Sequence, residues 1–407
     1  MFRPQRLSDM SLDLDAIAEE FPGAANQVYL NCAARGLTPR SARAAVDAVL
    51  DGGMDGSGDK DAMFGSVERV RSGLARMIHA EDDEIAITKN VSEGLNAIIA
   101  ALDLKAGDNV VLCPDLEHPN NVYPWLHLRE RLGVEVRTVA GEDGHIPVER
   151  MIDAMDERTR CVTVASVSFS PGFRTDMAPL GAACRERGAF FLVDGVQSVG
   201  IVETDVDALK IDGLAVSTQK GLLGLYGMGL VYCRRDWAER LTPVYLARFG
   251  VDLGGGAHEA ALGSDNYKLM PGARRFDLGN HNYVGAAAAA ESIDLLNGIG
   301  IPAIEAHVGD LTRRLAAGLL DLDLPVAGGE PGSHLTSLIC IGRDGGGHDS
   351  TDDAEMASLS NFLLENNVKH SIRKGRIRLS LHLYNTEEDV AEVLALTKSW
   401  RRARAAA

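Results

Sequence analysis

The sequence predicts an α/β protein: a large domain built on a mostly parallel seven-stranded sheet, followed by a smaller α+β C-terminal domain. Three observations carry this reading. From about residue 84 to 235, short apolar runs alternate with amphipathic stretches of helical length, the pattern of a sheet covered by helices. Beyond residue 285 the pattern changes to a long helical stretch, then a strand, a Gly/Asp-rich loop, a helix, a strand pair and a last helix. The composition, 45% hydrophobic and 24% charged over 407 residues, is that of an ordinary globular chain of two or three domains.

The seven strands are expected at 84–88, 109–113, 134–138, 161–165, 189–193, 213–217 and 229–233, with helices at 92–101, 121–132, 148–155 and 179–187. Gly188 closes the last of these as a C-cap. A long helical stretch is expected from Gly285 to about Leu320, then a strand at 335–341, a mobile loop at 343–353 with no assigned chemistry, a helix at 354–366 and a strand pair within 368–381. Thr386 followed by Glu387, Glu388 and Asp389 sets a cap and three acids at the positive end of the final helix. The expected division is an N-terminal segment 1–30 packed on the small domain, a large domain 31–285 and a small domain 286–407. No internal repeat is visible.

The net charge of −17, from 41 Lys and Arg against 58 Asp and Glu, argues against nucleic acid or an anionic membrane as partner, since phosphates are repelled over most of the surface. The basic tail of Arg401, Arg402 and Arg404 is too short to reverse this. The six cysteines are scattered and form no C-x-x-C pair, so neither a zinc ribbon nor a disulfide framework is expected, and no metal site. No run approaches the ~18 apolar residues that span a bilayer. A reducing cytoplasm is the expected location.

The strand ending in Val193-Asp194-Gly195 places a carboxylate at the C-terminal edge of the sheet, where α/β proteins bind ligands. Such a group requires a cation or a hydrogen-bond donor facing it; an isolated Asp at a strand end equally serves as a helix cap or loop residue. Further on, an apolar strand runs through Ser217-Thr-Gln-Lys220 into a Gly-rich stretch. A lysine among small and apolar residues can be desolvated, so that its amine is neutral near pH 7, as a Schiff-base nucleophile requires. Asp194, Gln197 and Lys220 together suggest a pyridoxal phosphate site: the carboxylate keeps the pyridine nitrogen protonated, the lysine forms the internal aldimine, and a helix N-terminus binds phosphate. Asn90-Val91-Ser92-Glu93-Gly94 offers that terminus.

These residues, with others in order along the chain, resemble the class V aminotransferase family of fold-type I pyridoxal-phosphate enzymes, in its branch of cysteine desulfurases and isopenicillin-epimerase-like proteins. The matching stretches are Val28-Tyr-Leu-Asn-Cys-Ala33, Thr88-Lys-Asn-Val-Ser-Glu-Gly-Leu-Asn96, Glu117-His-Pro-Asn-Asn121 with Trp125, Val193-Asp-Gly-Val-Gln197, Ser217-Thr-Gln-Lys220, Arg275-Phe-Asp-Leu-Gly-Asn280 and Arg376-Ile-Arg-Leu-Ser-Leu-His-Leu-Tyr-Asn-Thr386. The resemblance implies that Lys220 is the aldimine lysine, Asp194 the pyridinium partner, Gln197 a donor to the ring hydroxyl and His118 the stacking residue. It implies that the Val91 N–H, Ser92 and Ser217 hold the phosphate, that Asn280 reaches the phosphate of a neighbouring subunit in a homodimer, and that Arg378, with Arg373, binds the substrate carboxylate. Period 2 along the strand puts Arg376, Arg378 and Ser380 on one face, so alternation alone does not choose Arg378 over Arg376; the resemblance does.

Three departures from the family pattern stand out. The loop cysteine that desulfurases carry shortly before the carboxylate-binding arginine is absent: Ser371-Ile-Arg-Lys-Gly-Arg-Ile-Arg378 closes that gap as a tight hairpin. Persulfide chemistry on the enzyme is therefore not expected. The residue before the lysine is Gln219, as in alanine:glyoxylate-type aminotransferases, and a Gln cannot shuttle protons, which leaves acid/base work to Lys220. Phe169 stands where many relatives place a polar residue near the ring. The expectation is a pyridoxal-phosphate enzyme acting on an amino acid through external aldimine and quinonoid, of aminotransferase type, with a β-eliminating C–S lyase or an epimerase as the alternatives and a non-catalytic member as a third class.

Overall fold

The computed structural model describes residues 12–254 and 267–405. The seven expected strands are present as β1 (Ile85–Thr88), β2 (Asn109–Leu112), β3 (Glu135–Thr138), β4 (Thr159–Ala165), β5 (Phe190–Asp194), β6 (Gly213–Ser217) and β7 (Gly229–Cys233). They form one sheet in the order β1-β7-β6-β5-β4-β2-β3, parallel except for β7, which runs antiparallel to both β1 and β6. Because β7 alone is reversed, β1, β5 and β6 all end on the same sheet edge.

Strand burial explains why the runs read as continuously apolar. Phe191 and Val193 of β5 belong to one core cluster, with Leu180 and Cys184 of the helix Met177–Arg187 and the buried face of the helix Lys60–Ile78. Phe190 and Leu192 belong to the other, with Leu95, Ile98 and Ile99 of the helix Val91–Ala101 and with Trp125. Successive side chains of one strand thus enter opposite cores, and both faces are covered. Gly188 closes Met177–Arg187 at φ 69°, its N–H donating to the Cys184 carbonyl.

The expected long helix from Gly285 is two helices, Tyr283–Ile299 and Ile301–Asp321, which turn through 81° at Gly300. Gly300 has φ 93°, and Pro302 follows in the first turn of the second helix; the pair ends one helix and starts the next. Tyr283–Ile299 packs on Arg40–Asp55 and Lys60–Ile78. Among the described residues no single helix is long and apolar enough to cross a membrane.

The C-terminal part carries a three-stranded antiparallel sheet of β8 (Leu338–Ile341), β9 (Ser371–Arg373) and β10 (Arg376–Ser380), with β10 in the middle. The hairpin between β9 and β10 turns on Lys374 and Gly375, at φ 52° and 84°, two left-handed residues as a type I′ turn requires. The helix Ala354–Glu365 packs on β10, and Glu387–Ala405 packs on Ala354–Glu365 and on Ile301–Asp321; Thr386 Oγ1 accepts from the Asp389 N–H at 3.3 Å, the expected cap. The strand pair expected within 368–381 is three short strands: ahead of β9 and β10, Val368–Lys369 pairs with Val28–Tyr29. The Ser380 N–H donates to the Leu30 carbonyl at 2.8 Å, and the Ala33 N–H to Ser380 Oγ at 2.8 Å, which draws Ala33 and Ala34 to the end of β10.

Candidate active site

Asp194 is the last residue of β5 and is buried. Its Oδ1 accepts the Val196 N–H at 3.0 Å. Burial raises its pKa, and the Val196 bond and the positive charge of Lys220 act in the other direction. A donor and a cation therefore face it, as a carboxylate at this edge requires.

Lys220 lies three residues beyond β6, in a turn rather than on the strand itself. Two glycines bring that turn against the segment after Asp194. A Cβ on Gly200, which has φ 94°, would stand 2.3 Å from the Gly221 carbonyl oxygen, and one on Gly221 would stand 2.4 Å from that of Val199. No side chain fits between the two backbones, so the amine is held in a part-buried position facing the carboxylate. Desolvation lowers Lys220 from its ordinary 10.5 to about 8, against the attraction of Asp194, and Arg378 pushes the same way as burial.

Lys220 opens into a cleft of about 480 Å³. His118, Phe169, Gln197, Arg373 and Arg378 line it, with Ala33, Ala34 and Tyr226. The His118 ring meets Phe169 edge-on at 5.6 Å, and its Nδ1 accepts the Asn120 N–H at 3.2 Å. Although the ring is open to the cleft, partial burial, followed by the charges of Lys220, His348, Arg378 and Arg373, lowers its pKa. Gln197 Nε2 donates to the Ala33 carbonyl at 3.1 Å.

Arg378 projects from β10 with 2% of its surface exposed. Its Nε donates to Ser371 Oγ at 3.2 Å and its Nη1 to the Phe169 carbonyl at 3.0 Å. No carboxylate pairs with it among the described residues, and burial lowers it from 12.5 to about 10. Arg376, on the same strand face, is taken by Asp344 at 2.9 Å and lies outside the cleft lining, so geometry separates two arginines that alternation could not. Arg373 Nη1 meets Asp349 Oδ1 at 2.5 Å.

The expected phosphate residues gather at the start of the helix Val91–Ala101. Ser217 ends β6 opposite Gly229, which pairs in turn with Thr88. A Cβ on Gly229 would stand 2.7 Å from Asn90 Cα, so the glycine lets the helix start lie against the sheet. The Val91 N–H donates to Ser217 Oγ at 2.7 Å, and Asn90 Oδ1 caps the Glu93 N–H. Asn280 has φ 37° and does not line the Lys220 cleft. It lines a separate cavity of about 650 Å³ with Thr88, Lys89 and Asn90. The Asp277 of its motif is structural: Asp277 accepts from Arg71 Nη2 at 2.7 Å and from the Ile87 N–H at 2.8 Å, tying this loop to β1.

The loop at 343–353, expected to carry no chemistry, lies at the cleft: Gly346, Gly347 and His348 line its mouth. No local pattern marks this, because the contact is made in space with the β9–β10 turn. Lys374 of that turn was missed too; it lies 5.1 Å from the Phe169 ring and donates to the Asp115 carbonyl at 2.6 Å. Gln219 donates no side-chain lining; its carbonyl accepts from the Gly36 N–H.

These residues fit pyridoxal phosphate. A buried carboxylate with a single backbone donor suits a protonated ring nitrogen, a half-desolvated amine suits the carbonyl carbon, and the Ser92 and Ser217 hydroxyls at the positive end of a helix suit a phosphate. Comparison with known proteins agrees. The model of the family "Aminotransferase class-V" matches residues 57–393. A probable cysteine desulfurase of Methanothermobacter thermautotrophicus is 34% identical over 336 residues, 80% of this chain and 81% of that protein. The uncharacterized aminotransferase YcbU of Bacillus subtilis is 28% identical over 331 residues, 80% of this chain and 82% of its own length. The apo cysteine desulfurase from Thermococcus onnurineus NA1 superimposes with a TM-score of 0.82 at 25% identity, covering 96% of this chain and 98% of that one. The chain belongs to the class V aminotransferase family of pyridoxal-phosphate-dependent enzymes.

Proposed function

We propose that this enzyme cleaves the Cβ–S bond of a cysteine-derived amino acid and uses no thiol of its own to do so. The observation that carries the reading is the composition of the cleft: none of the six cysteines lines it, and all six are buried. Cys32, which feels the charge of Lys220, is pushed up to about 12 by burial and stays a protonated, unreactive thiol. Relatives named cysteine desulfurases support chemistry at a cysteine sulfur. With no acceptor thiol in the cleft, that sulfur leaves with its substituent.

In this reading Lys220 holds the cofactor, Asp194 faces its ring nitrogen, Gln197 its ring hydroxyl and His118 its face, while Ser92 and Ser217, whose Oγ takes the Val91 N–H, hold its phosphate. When bound, pyridoxal phosphate supplies a sink for the electron pair released at Cα. Arg378 takes the substrate α-carboxylate; a buried guanidinium without a counter-ion is a site made for one. Lys220, neutral in a usable fraction near pH 7, accepts the Cα proton. The Cβ–S bond then breaks with its electrons on sulfur, and the thiolate takes a proton to leave as thiol. Hydrolysis of the remaining three-carbon fragment yields pyruvate and ammonia.

The aminotransferase expectation rested on Gln219, whose side chain does not line the cleft. Product analysis separates the readings. Incubation with S-substituted cysteines should give pyruvate, ammonia and thiol in equal amounts. A keto acid that retains the sulfur, formed together with a new amino acid, would replace elimination by transamination.

Exposed Val244, Tyr245 and Leu278 line the cavity that carries Asn280. This apolar surface supports a homodimer in which Asn280 approaches the partner's phosphate site. Sedimentation of a fully active monomer would remove Asn280 from the site. Six free thiols are compatible with a reducing cytoplasm.

A further inference from the structure

The cleft inverts the charge of the chain. On a protein of net charge −17, its lining includes Lys220, Arg373, Lys374 and Arg378, and no Asp or Glu among the described residues. One of these cations is accounted for by the cofactor and one by the α-carboxylate. Arg373, which the resemblance set beside Arg378 on the α-carboxylate but which meets Asp349 here, and Lys374, its neighbour at the β9–β10 turn, have no task in that reading.

We propose that Arg373 and Lys374 form a second anion subsite, so that the substrate carries a negatively charged group at the end of its side chain in addition to its α-carboxylate. This rests on the reading that Lys220 and Arg378 engage an α-amino acid, and it narrows the substrate class. The protein itself shows that Arg373 accepts a carboxylate, because Asp349 sits on it at 2.5 Å. That side chain is 74% exposed and belongs to the Gly-rich loop, so a stronger-held anion can displace it with little to undo. Lys374 makes no ion pair among the described residues; its ammonium rests on the Asp115 carbonyl and against the Phe169 ring. Phe169 also receives the Arg378 bond through its carbonyl, so the two cationic positions share a wall.

The spacing sets the length of the substrate. Ser371 stands opposite Arg378 and shares a strand face with Arg373 two residues further on. Two residues of strand are roughly 7 Å. An S-substituted cysteine ending in a carboxylate one or two carbons beyond sulfur spans that gap.

The test compares S-carboxymethyl-L-cysteine with its uncharged near-isostere S-carbamoylmethyl-L-cysteine on the cofactor-loaded enzyme. Binding is read from the visible absorbance change, which does not require the Cβ–S bond to break. The wild type should bind the carboxylate about ten- to a hundredfold more tightly, the range for a hydrogen-bonded charge pair. In Arg373→Gln, and in Lys374→Gln, the preference should fall towards one. Equal affinity of the wild type for both ligands would overturn the subsite even if both yield pyruvate. A preference undiminished in the double variant would also overturn it. A preference that holds and is lost in the variants, with no pyruvate formed, would support the subsite while removing the elimination reading.

Discussion

Replacing Arg378 by Gln should abolish recognition of the substrate carboxylate and leave the fold nearly as stable as before. Both halves follow from the guanidinium being buried without a carboxylate partner among the described residues. Its pKa falls from 12.5 to about 10, which corresponds to about 3 kcal/mol spent on keeping it charged and unpaired. The substitution relieves that cost but strands the Phe169 carbonyl, at ~1–3 kcal/mol for an unmet buried acceptor. The two offset each other, so unfolding free energy should change by no more than about 2 kcal/mol. Binding has no such offset. Removing one partner of a buried, hydrogen-bonded charge pair costs ~2–5 kcal/mol, or roughly thirtyfold to several thousandfold in Kd. The assay is absorbance titration of the loaded enzyme with an S-substituted cysteine and with the corresponding amine that lacks the carboxylate. Wild type should distinguish the two and Arg378→Gln should not, while Arg376→Gln, whose arginine serves Asp344, should behave as wild type. An unchanged Kd in Arg378→Gln, or loss of affinity in Arg376→Gln alone, would refute the reasoning.

Asp194→Asn should lower turnover by at least about a hundredfold, from the ~3 kcal/mol typical of a preorganised electrostatic partner; steady-state kinetics showing less than a tenfold loss would mean that another group supports the ring. Burial first, and then the charge of Asp194, push Glu117 up to about 8, partly opposed by its Asn121 and Ala165 bonds. The folded protein then holds a proton that the unfolded chain releases near 4.5, so this group's stabilisation is present at acid pH and is lost as pH rises through 8. Urea unfolding across that window should show the slope in wild type and a flatter profile in Glu117→Gln. Arg71→Ala leaves Asp277 buried and unpaired, and should cost ~3–5 kcal/mol in unfolding free energy; a loss under about 1 kcal/mol would show that the pair carries no weight.

What the sequence made legible was local. The strands Gly213–Ser217 and Gly229–Cys233 were read at both ends, because a glycine opens each apolar run and a polar or charged residue follows it. The Asp194 and Lys220 positions came from the same logic of strand ends. The helix break at Gly300 has its local signal in that glycine and the nearby Pro302, whereas the helical pattern continues on either side of it. Other features depend on distance in space. Val28 pairs with Val368, and nothing within either segment names the other. His348 and Lys374 reach the cleft only because the loop and the hairpin turn meet there. Arg376 and Arg378 share one strand face, and what divides them is Asp344, a loop residue with no periodic signature.

The most direct measurement is the site and pH dependence of covalent cofactor capture. Borohydride reduction of the yellow protein, followed by peptide mass mapping, should place one pyridoxyl group on Lys220. The rate at which the apoenzyme captures pyridoxal phosphate should rise with a midpoint near 8, the value to which burial lowers this amine, and Lys220→Ala should carry no reduced adduct. An adduct on a different lysine, a midpoint at the ordinary 10.5, or a Lys220→Ala protein that still traps the cofactor and turns over would contradict the assignment.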